Sequence, residues 1–260
     1  MSHQSIVRLL EFESLPRYHF LVLELLDGGD ILEAVAGLAS YTEHDARQIA
    51  IAVLMALRHA HEQGRCVHRD LRPGHLLLAR GCTATARHGL GGRVKIAGWG
   101  RSKRLPADGI LSGEHMSGNR AFAAPEIILE ESYGTPADMY SFGAILYTLL
   151  VGMPPRAVSL ATAVKPKAPD TSGPAWGAVS SEAKALVGAL MTPEGPDARM
   201  TAAEALGHKW VMAGEKALRV RSLDAVLKGA RVLSWREAME DGRRNAGYAR
   251  SSIHRTVSLF

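Results

Sequence analysis

The sequence has 260 residues, of which 47% are hydrophobic and 22% charged, the composition of an ordinary globular protein with a full core. Two cysteines without zinc-ligand spacing and apolar runs too short for a bilayer exclude a disulfide scaffold and a membrane span, so we expect a cytoplasmic protein. The formal charge of +5 lies in residues 211–260, without the aromatic-interleaved basic stripe that would indicate nucleic acid.

The first 26 residues predict two short strands separated by a turn. The segments "SIVRLLEFE" and "RYHFLVLEL" are rich in β-branched, leucine and aromatic residues, and "SLPR" supplies the turn. Helical periodicity follows in residues 42–64, where Thr42 is the expected N-cap and Gly64 the expected end. This helix should be amphipathic, with one buried face.

Short strands and then further helices complete the predicted architecture. The segments "LLLA" and "VKIA" predict strands between loops in residues 65–126. From Thr135, the expected cap, an almost wholly apolar helix runs to Gly152 and should lie in the core. Thr201 and Glu204 predict a capping box on a later helix. Strands first and helices after predict an α+β fold, in which a small sheet lies against a helical body.

Five sequence motifs follow one another along the chain. They are "LVLELLDGGDI", "HRDL", "AAPE", "YGTPADMYSFGAILYTLLVG" and "RMTAAEALGHKW". In this order they resemble the last small-lobe strand with the hinge, the catalytic loop, the end of the activation segment and two large-lobe helices of the eukaryotic protein kinases. Within that family the resemblance is to the calcium/calmodulin-dependent Ser/Thr group. It implies a protein kinase-like fold, mainly the helical C-terminal lobe with a two-strand remnant of the N-terminal lobe.

The resemblance divides the chain into three parts. Residues 1–26 resemble the end of the small lobe and the hinge, residues 27–211 the large lobe, and residues 212–260 a basic regulatory tail. The glycine-rich loop and the phosphate-holding lysine of the family have no counterpart in the sequence. One edge of the two strands is therefore expected to have no partner strand, and residues 5–26 are expected either to lean on the helical lobe or to be completed by a partner protein.

The tail carries a helical pattern with two interpretations. Leu223, Val226 and Leu227 fall on one helical face, with basic residues nearby and Trp235 further along. A basic amphipathic helix with an aromatic anchor is typical of calmodulin ligands. A helix packed on the lobe would give the same pattern, so calmodulin and the lobe both remain expected contacts.

The resemblance implies roles for residues of the catalytic loop and its supports. Asp70 matches the base that accepts the substrate proton, and Arg72 takes the place of the family's lysine. Asp138 would hold the catalytic-loop backbone, and Glu126 would pair with Arg199. A capped loop carboxylate is the alternative interpretation of Asp70.

Four further residues match the adenine pocket of the family. Leu23 matches the gatekeeper, Glu24 and Leu26 would offer hinge backbone groups, and Leu77 would form the floor under the ring. Ordinary strand and core packing explains the same four residues equally well.

Two departures from the family affect its cofactors, ATP and magnesium. His75 stands where the family has a metal-binding asparagine, and Gly98, in "AGWG", stands where it has the metal-binding aspartate. Magnesium prefers hard oxygen ligands, whereas imidazole suits softer metals. We therefore expect weak ATP binding, magnesium that is not held normally and no other metal site. The resulting prediction is a pseudokinase with impaired phosphoryl transfer and a scaffolding or regulatory role in signalling.

Two other functions remain open from the sequence. Because Asp70 is present, the chain could represent part of an active ATP-dependent Ser/Thr kinase. The helical lobe could also serve as a protein interaction module that binds no nucleotide.

Overall fold

The computed structural model describes residues 2–79, 90–113, 121–155, 159–214, 218, 221–223 and 226–227. Within these residues the strands are β1 (Leu9–Ser14), β2 (His19–Leu23), β3 (Cys66–Val67), β4 (Leu76–Leu78), β5 (Val94–Ile96) and β6 (Lys103–Arg104). The helices in the same ranges are α1 (Ile31–Ala36), α2 (Glu43–Arg58), α3 (Pro125–Ile128), α4 (Pro136–Val151), α5 (Leu160–Ala163), α6 (Ser181–Leu190), α7 (Ala202–Leu206) and α8 (Lys209–Met212). The predicted α+β mixture is confirmed.

Strands β1 and β2 form an antiparallel hairpin with little of its surface buried. Its register pairs Leu9 with Leu23 and Ser14 with His19. Six apolar side chains of the hairpin and its turn are between 43% and 56% exposed: Leu9, Leu10, Phe12, Leu15, Tyr18 and Val22. The hairpin β1–β2 therefore adds little to the core.

The hairpin is held on the helical lobe through strand β5. The Val7 N–H donates to the Ile96 carbonyl (3.0 Å), and the Ile96 N–H donates to the Ser5 carbonyl (2.9 Å). After the hairpin, the Lys95 ammonium donates to the Glu24 carboxylate (Nζ to Oε1, 2.7 Å). Strand β5 itself pairs antiparallel with β4. These contacts place the hinge segment beside strand β5, which is the neighbour of β4.

Helix α2 begins as the sequence predicts. Thr42 and Asp45 form a capping box, in which the Thr42 N–H donates to Asp45 Oδ2 (2.9 Å) and the Asp45 N–H to Thr42 Oγ1 (3.4 Å). The helix continues into one π-type turn (His59–Gln63) that Gly64 ends. Its apolar stripe lies in the main core.

Glu43, the first residue of α2, is fully buried and joins three helices. Its carboxylate accepts hydrogen bonds from the Ser180 N–H (2.9 Å), the Ser180 hydroxyl and the Trp210 indole N–H (2.7 Å). Ser180 is the N-cap of α6, and Trp210 belongs to α8. A buried carboxylate is tolerated when several donors satisfy it, and these donors fix the start of α2 against both helices.

Helix α4 is the central helix of the lobe and is almost wholly buried. It ends at Gly152, whose φ of +79° lies in the left-handed region that glycine adopts without strain. The Thr135 side chain, predicted as its cap, makes no capping hydrogen bond. Thr135 itself has helical dihedrals (φ −56°, ψ −29°), whereas a capping side chain needs an extended backbone. Among the described helices, none combines the length and apolarity that a bilayer span needs.

The described part of the tail lies against the start of α2. The Leu223 N–H donates to the Tyr41 carbonyl (2.7 Å), and the side chains of Leu223 and Val226 are 3% and 1% exposed. Leu227 packs, half-buried, on the same core. Residues from 228 onward, which include most of the predicted regulatory helix, lie outside the described residues.

Candidate active site

The first turn of α4 holds the backbone of the catalytic loop. The buried Asp138 carboxylate accepts the His68 N–H (2.8 Å) and the Arg69 N–H (3.0 Å), and it also contacts His61 Nε2 at 2.9 Å. Burial opposes its ionisation, but the hydrogen bond and charge of His61 hold the pKa of Asp138 below its ordinary value. Arg69 has a φ of +70°, a conformation that these hydrogen bonds stabilise. The predicted role of Asp138 is confirmed.

His68 joins the catalytic loop to the end of strand β5. Its Nε2–H donates to the Ala97 carbonyl (2.8 Å), which leaves Nδ1 to accept the Asp70 N–H (3.3 Å). Burial lowers the pKa of His68, consistent with this neutral tautomer. The Trp99 and His68 rings pack edge to face, with centroids 4.7 Å apart.

The Asp70 carboxylate is surrounded by basic and imidazole nitrogens. Arg101 Nε lies 3.6 Å from Oδ2, Arg72 Nε lies 4.0 Å from Oδ1, and His75 Nδ1 lies 3.9 Å from Oδ2. The structure thus brings Asp70 and Arg72 together, as the resemblance implies. At these distances the two arginine contacts are ion pairs and not tight hydrogen bonds, and the His75 contact is too long for a hydrogen bond to the carboxylate. The charge of Asp70 is compensated by side chains of the protein itself.

Arg101 is a site residue that the sequence analysis missed. It closes a single 3-10 turn (Trp99–Arg101) that directly follows Gly98. This turn carries the guanidinium back towards Asp70, 31 positions earlier in the chain. The glycine at position 98 was the available signal in the sequence, because glycine adopts the left-handed conformation that lets the chain reverse, and Gly98 has that conformation in the structure.

The His75 ring packs directly against the backbone of Gly98. The His75 Nδ1–H donates to the Asp70 carbonyl (2.7 Å), so its Nε2 carries the lone pair. Burial, and then the positive charge of Arg72, lower the pKa of His75 to about 4. The imidazole is therefore neutral at neutral pH. A Cβ atom built on Gly98 would lie only 2.5 Å from the ring carbon Cγ of His75.

The residues at this position do not fit the magnesium ion that the family resemblance implies. Gly98 has no side chain, and His75 offers a nitrogen where magnesium prefers oxygen. In the part of the chain that the structure describes, no group of three or more His, Cys, Asp or Glu side chains could hold a metal. Asp70 is the carboxylate of the loop, and its neighbours are cationic or neutral nitrogens.

The four predicted adenine contacts lie at the junction of hinge and lobe. All four are half-buried: Leu23, Glu24, Leu26 and Leu77. The Glu24 N–H donates to the Arg8 carbonyl (2.9 Å), so this hinge donor is already used. Burial opposes ionisation of the Glu24 side chain, but the hydrogen bond from Lys95 holds its pKa below the ordinary value. Leu77 pairs with Lys95 across strands β4 and β5, which brings the floor residue and the hinge to the same lysine.

A buried ion pair supports the end of the activation segment. The buried Arg199 guanidinium donates to Glu126 through both terminal nitrogens, with Nη2 to Oε2 at 2.8 Å. The same guanidinium lies 5.0 Å from the centroid of the Tyr140 ring, and burial raises the pKa of Tyr140 to about 12. The predicted pairing of Glu126 with Arg199 is confirmed, and it ties helix α3 to the base of α4.

Known proteins share the sequence features that surround this site. A family model for the protein kinase domain matches residues 1–211. The calcium/calmodulin-dependent protein kinase type II alpha chain of Drosophila melanogaster is 34% identical over 229 residues, which cover 85% of this chain. The matched segment spans 40% of the length of that relative. The chain therefore belongs to the protein kinase family, and its sequence is similar to that of the calcium/calmodulin-dependent Ser/Thr members.

Proposed function

We propose that this protein is a cytoplasmic pseudokinase of the calcium/calmodulin-dependent Ser/Thr type, with a scaffolding or regulatory role. The observation that carries the proposal is the pair of replacements at the metal position. Gly98 supplies no carboxylate, and the His75 ring lies where a side chain at position 98 would begin. Asp70 is present but paired with Arg72 and Arg101.

The size of the expected loss supports impaired transfer. Phosphoryl transfer depends mostly on positioning and on neutralising the charge of the phosphates. One preorganised charge-stabilising group typically contributes about 3 kcal/mol to the transition state. Two such losses, at positions 75 and 98, give roughly 6 kcal/mol, or about four decades in rate.

The side chains in the cleft suggest how a nucleotide could still bind. Arg72 and Arg101 lie on either side of Asp70, and a guanidinium group can pair with phosphate oxygens in two-point geometry. Both arginines would have to divide their contacts between the phosphate oxygens and Asp70. We therefore propose weak ATP binding that magnesium does not strengthen. A scaffolding role also needs a surface for partner proteins, and the exposed apolar hairpin β1–β2 offers one.

A thermal-shift assay with ATP, with and without magnesium, together with radiolabelling of a substrate peptide, tests the proposal. We expect a small shift that is equal in magnesium and in EDTA, and no magnesium-stimulated labelling. Labelling that magnesium stimulates and that Asp70→Asn abolishes, while the exposed-residue control Asp197→Asn leaves it intact, would identify an active kinase instead. Absence of any shift would favour the interaction module that binds no nucleotide.

We also propose calcium-loaded calmodulin as a partner of the tail. The name of the Drosophila relative describes a calmodulin-dependent kinase, and the tail sequence has the basic amphipathic pattern with Trp235. Because Leu223 and Val226 are buried against the lobe, calmodulin would have to release them before it could use that face.

Tryptophan fluorescence tests this partner directly. A peptide of residues 222–250 contains one tryptophan, Trp235, and should show a spectral change on titration with calcium-loaded calmodulin. The full chain should bind calmodulin more weakly than the peptide, because its tail must give up contacts with the lobe when calmodulin binds. The same titration in EDTA is the control, and an unchanged spectrum at micromolar peptide would exclude calmodulin.

A further inference from the structure

The replacements at positions 75 and 98 fit each other in space. A Cβ atom on Gly98 would lie 2.5 Å from Cγ of His75 and 2.6 Å from both Cδ2 and Nδ1. Contacts below 3.0 Å are essentially never made by real Cβ atoms, so any side chain at position 98 requires movement. The obstacle is the base of an aromatic ring and not the end of a flexible chain.

Neither partner of this contact is able to move easily. The His75 ring is fixed by the hydrogen bond from Nδ1–H to the Asp70 carbonyl (2.7 Å). Beside Gly98, the Ala97 N–H donates to the His75 carbonyl (2.8 Å), and the Ala97 carbonyl accepts the His68 Nε2–H (2.8 Å). The backbone around Gly98 is therefore bonded to the same loop that carries the ring.

We propose that His75 and Gly98 form an interlocked pair, in which the imidazole fills the volume that a side chain at position 98 needs. This inference rests on the proposed function. It also explains why a change at position 75 or at position 98 alone would not restore the metal site. A carboxylate at position 98 alone would meet the ring, and an asparagine at position 75 alone would find no carboxylate opposite it. Only the two changes together would supply two oxygen ligands to magnesium.

A double-mutant cycle on thermal unfolding tests the interlock. The variants are Gly98→Asp, His75→Asn and the two combined. The matched control is Gly109→Asp, because Gly109 has the same left-handed backbone (φ +77°) and its added Cβ meets nothing within 4 Å. We expect Gly98→Asp to lower Tm by about 4 to 8 °C more than Gly109→Asp does, because both substitutions strain a left-handed backbone and only the one at position 98 adds overpacking. The double variant should recover at least about half of the loss caused by Gly98→Asp.

A second pair of variants keeps the test decisive where Gly98→Asp fails to fold. Gly98→Ala carries only the colliding Cβ, and His75→Ala removes the ring. Their combination should be more stable than Gly98→Ala alone. A combined variant, in either pair, that loses as much stability as the sum of its single changes would overturn the interlock.

Metal binding provides an independent readout. Manganese(II) in the presence of ATP, followed by electron paramagnetic resonance, should bind to the Gly98→Asp, His75→Asn double variant and not to either single variant. Binding by Gly98→Asp alone would contradict the inference. If the inference fails, the proposed function remains in place. Conversely, magnesium-stimulated labelling by the unmutated chain would refute the proposed function without affecting the thermal coupling between positions 75 and 98.

Discussion

His75 is buried as a neutral imidazole beside a guanidinium group. Burial and the charge of Arg72 lower its pKa from the ordinary value of about 6.5 to about 4, although Asp70 acts in the opposite direction. In the unfolded chain His75 titrates at the ordinary value. Between pH 6.5 and 4 the unfolded state therefore binds the extra proton, and lower pH favours unfolding.

Replacing His75 by asparagine should flatten the pH dependence of stability. We expect the His75 contribution to lower the unfolding free energy by on the order of 2 kcal/mol between pH 7 and pH 5, and the His75→Asn variant to lack this loss. Urea denaturation at pH 7, 6 and 5 measures it. The exposed His19→Asn serves as control and should keep the unmutated slope. Parallel slopes in all three proteins would contradict the assignment.

Two threonines that look alike in the sequence act differently at the starts of helices α4 and α7. Thr201 has an extended backbone, and its side chain accepts the Glu204 N–H (3.2 Å) within a capping box. Thr135 has helical dihedrals and makes no capping bond with its side chain. The difference depends on one ψ angle, which residue type alone does not determine.

Alanine substitution should separate these two threonines. Thr201→Ala is expected to cost about 1 kcal/mol of unfolding free energy because it leaves a helix N–H without its acceptor. Thr135→Ala should cost only a few tenths, on the order of a substitution outside a cap. Guanidinium denaturation followed by circular dichroism compares them. Equal losses would mean that the Thr135 hydroxyl stabilises α4 after all.

The local hydrophobic pattern of the sequence predicts the helices well, but it predicts contacts between distant residues poorly. The apolar stripe of α2 and the almost wholly apolar α4 were predictable because burial of an element is encoded in its own residues. Glu43 was not predictable as a buried residue. Its donors Ser180 and Trp210 lie 137 and 167 positions away, and nothing near Glu43 in the sequence indicates them.

The same reasoning applies to the candidate site. The motif around Asp70 was recognisable because its residues are consecutive. The contact of Asp138 with the loop was likewise predictable from the resemblance. The ion pair of Asp70 with Arg101 and the filling of space by His75 depend on how separate segments meet in three dimensions. Sequence therefore predicts which residues reach the cleft better than it predicts which of them neutralise one another.

At the scale of the whole molecule, the chain combines a buried helical body with an exposed hairpin. Helix α4 is almost wholly buried, while the apolar side chains of hairpin β1–β2 are about half exposed. Segments with few buried contacts open locally at low free energy cost, whereas core helices open only with global unfolding.

Amide hydrogen exchange should resolve these two regions. We expect the amides of the hairpin to exchange through local opening, at least about a hundredfold faster than those of α4, which corresponds to roughly 3 kcal/mol. Mass spectrometry of peptic fragments measures both in one sample. A partner that covers the hairpin should slow its exchange and leave α4 unchanged. Equal protection in the isolated protein would show that the hairpin needs no partner.

The contact of Leu223 and Val226 with the start of α2 determines where an expression fragment of this protein should end. The family match ends at residue 211, yet the two side chains beyond it are 3% and 1% exposed. An expression fragment that stops at residue 211 would expose to water the apolar surface beside Tyr41 that these side chains cover. A fragment for crystallisation or binding assays should therefore extend at least to Leu227.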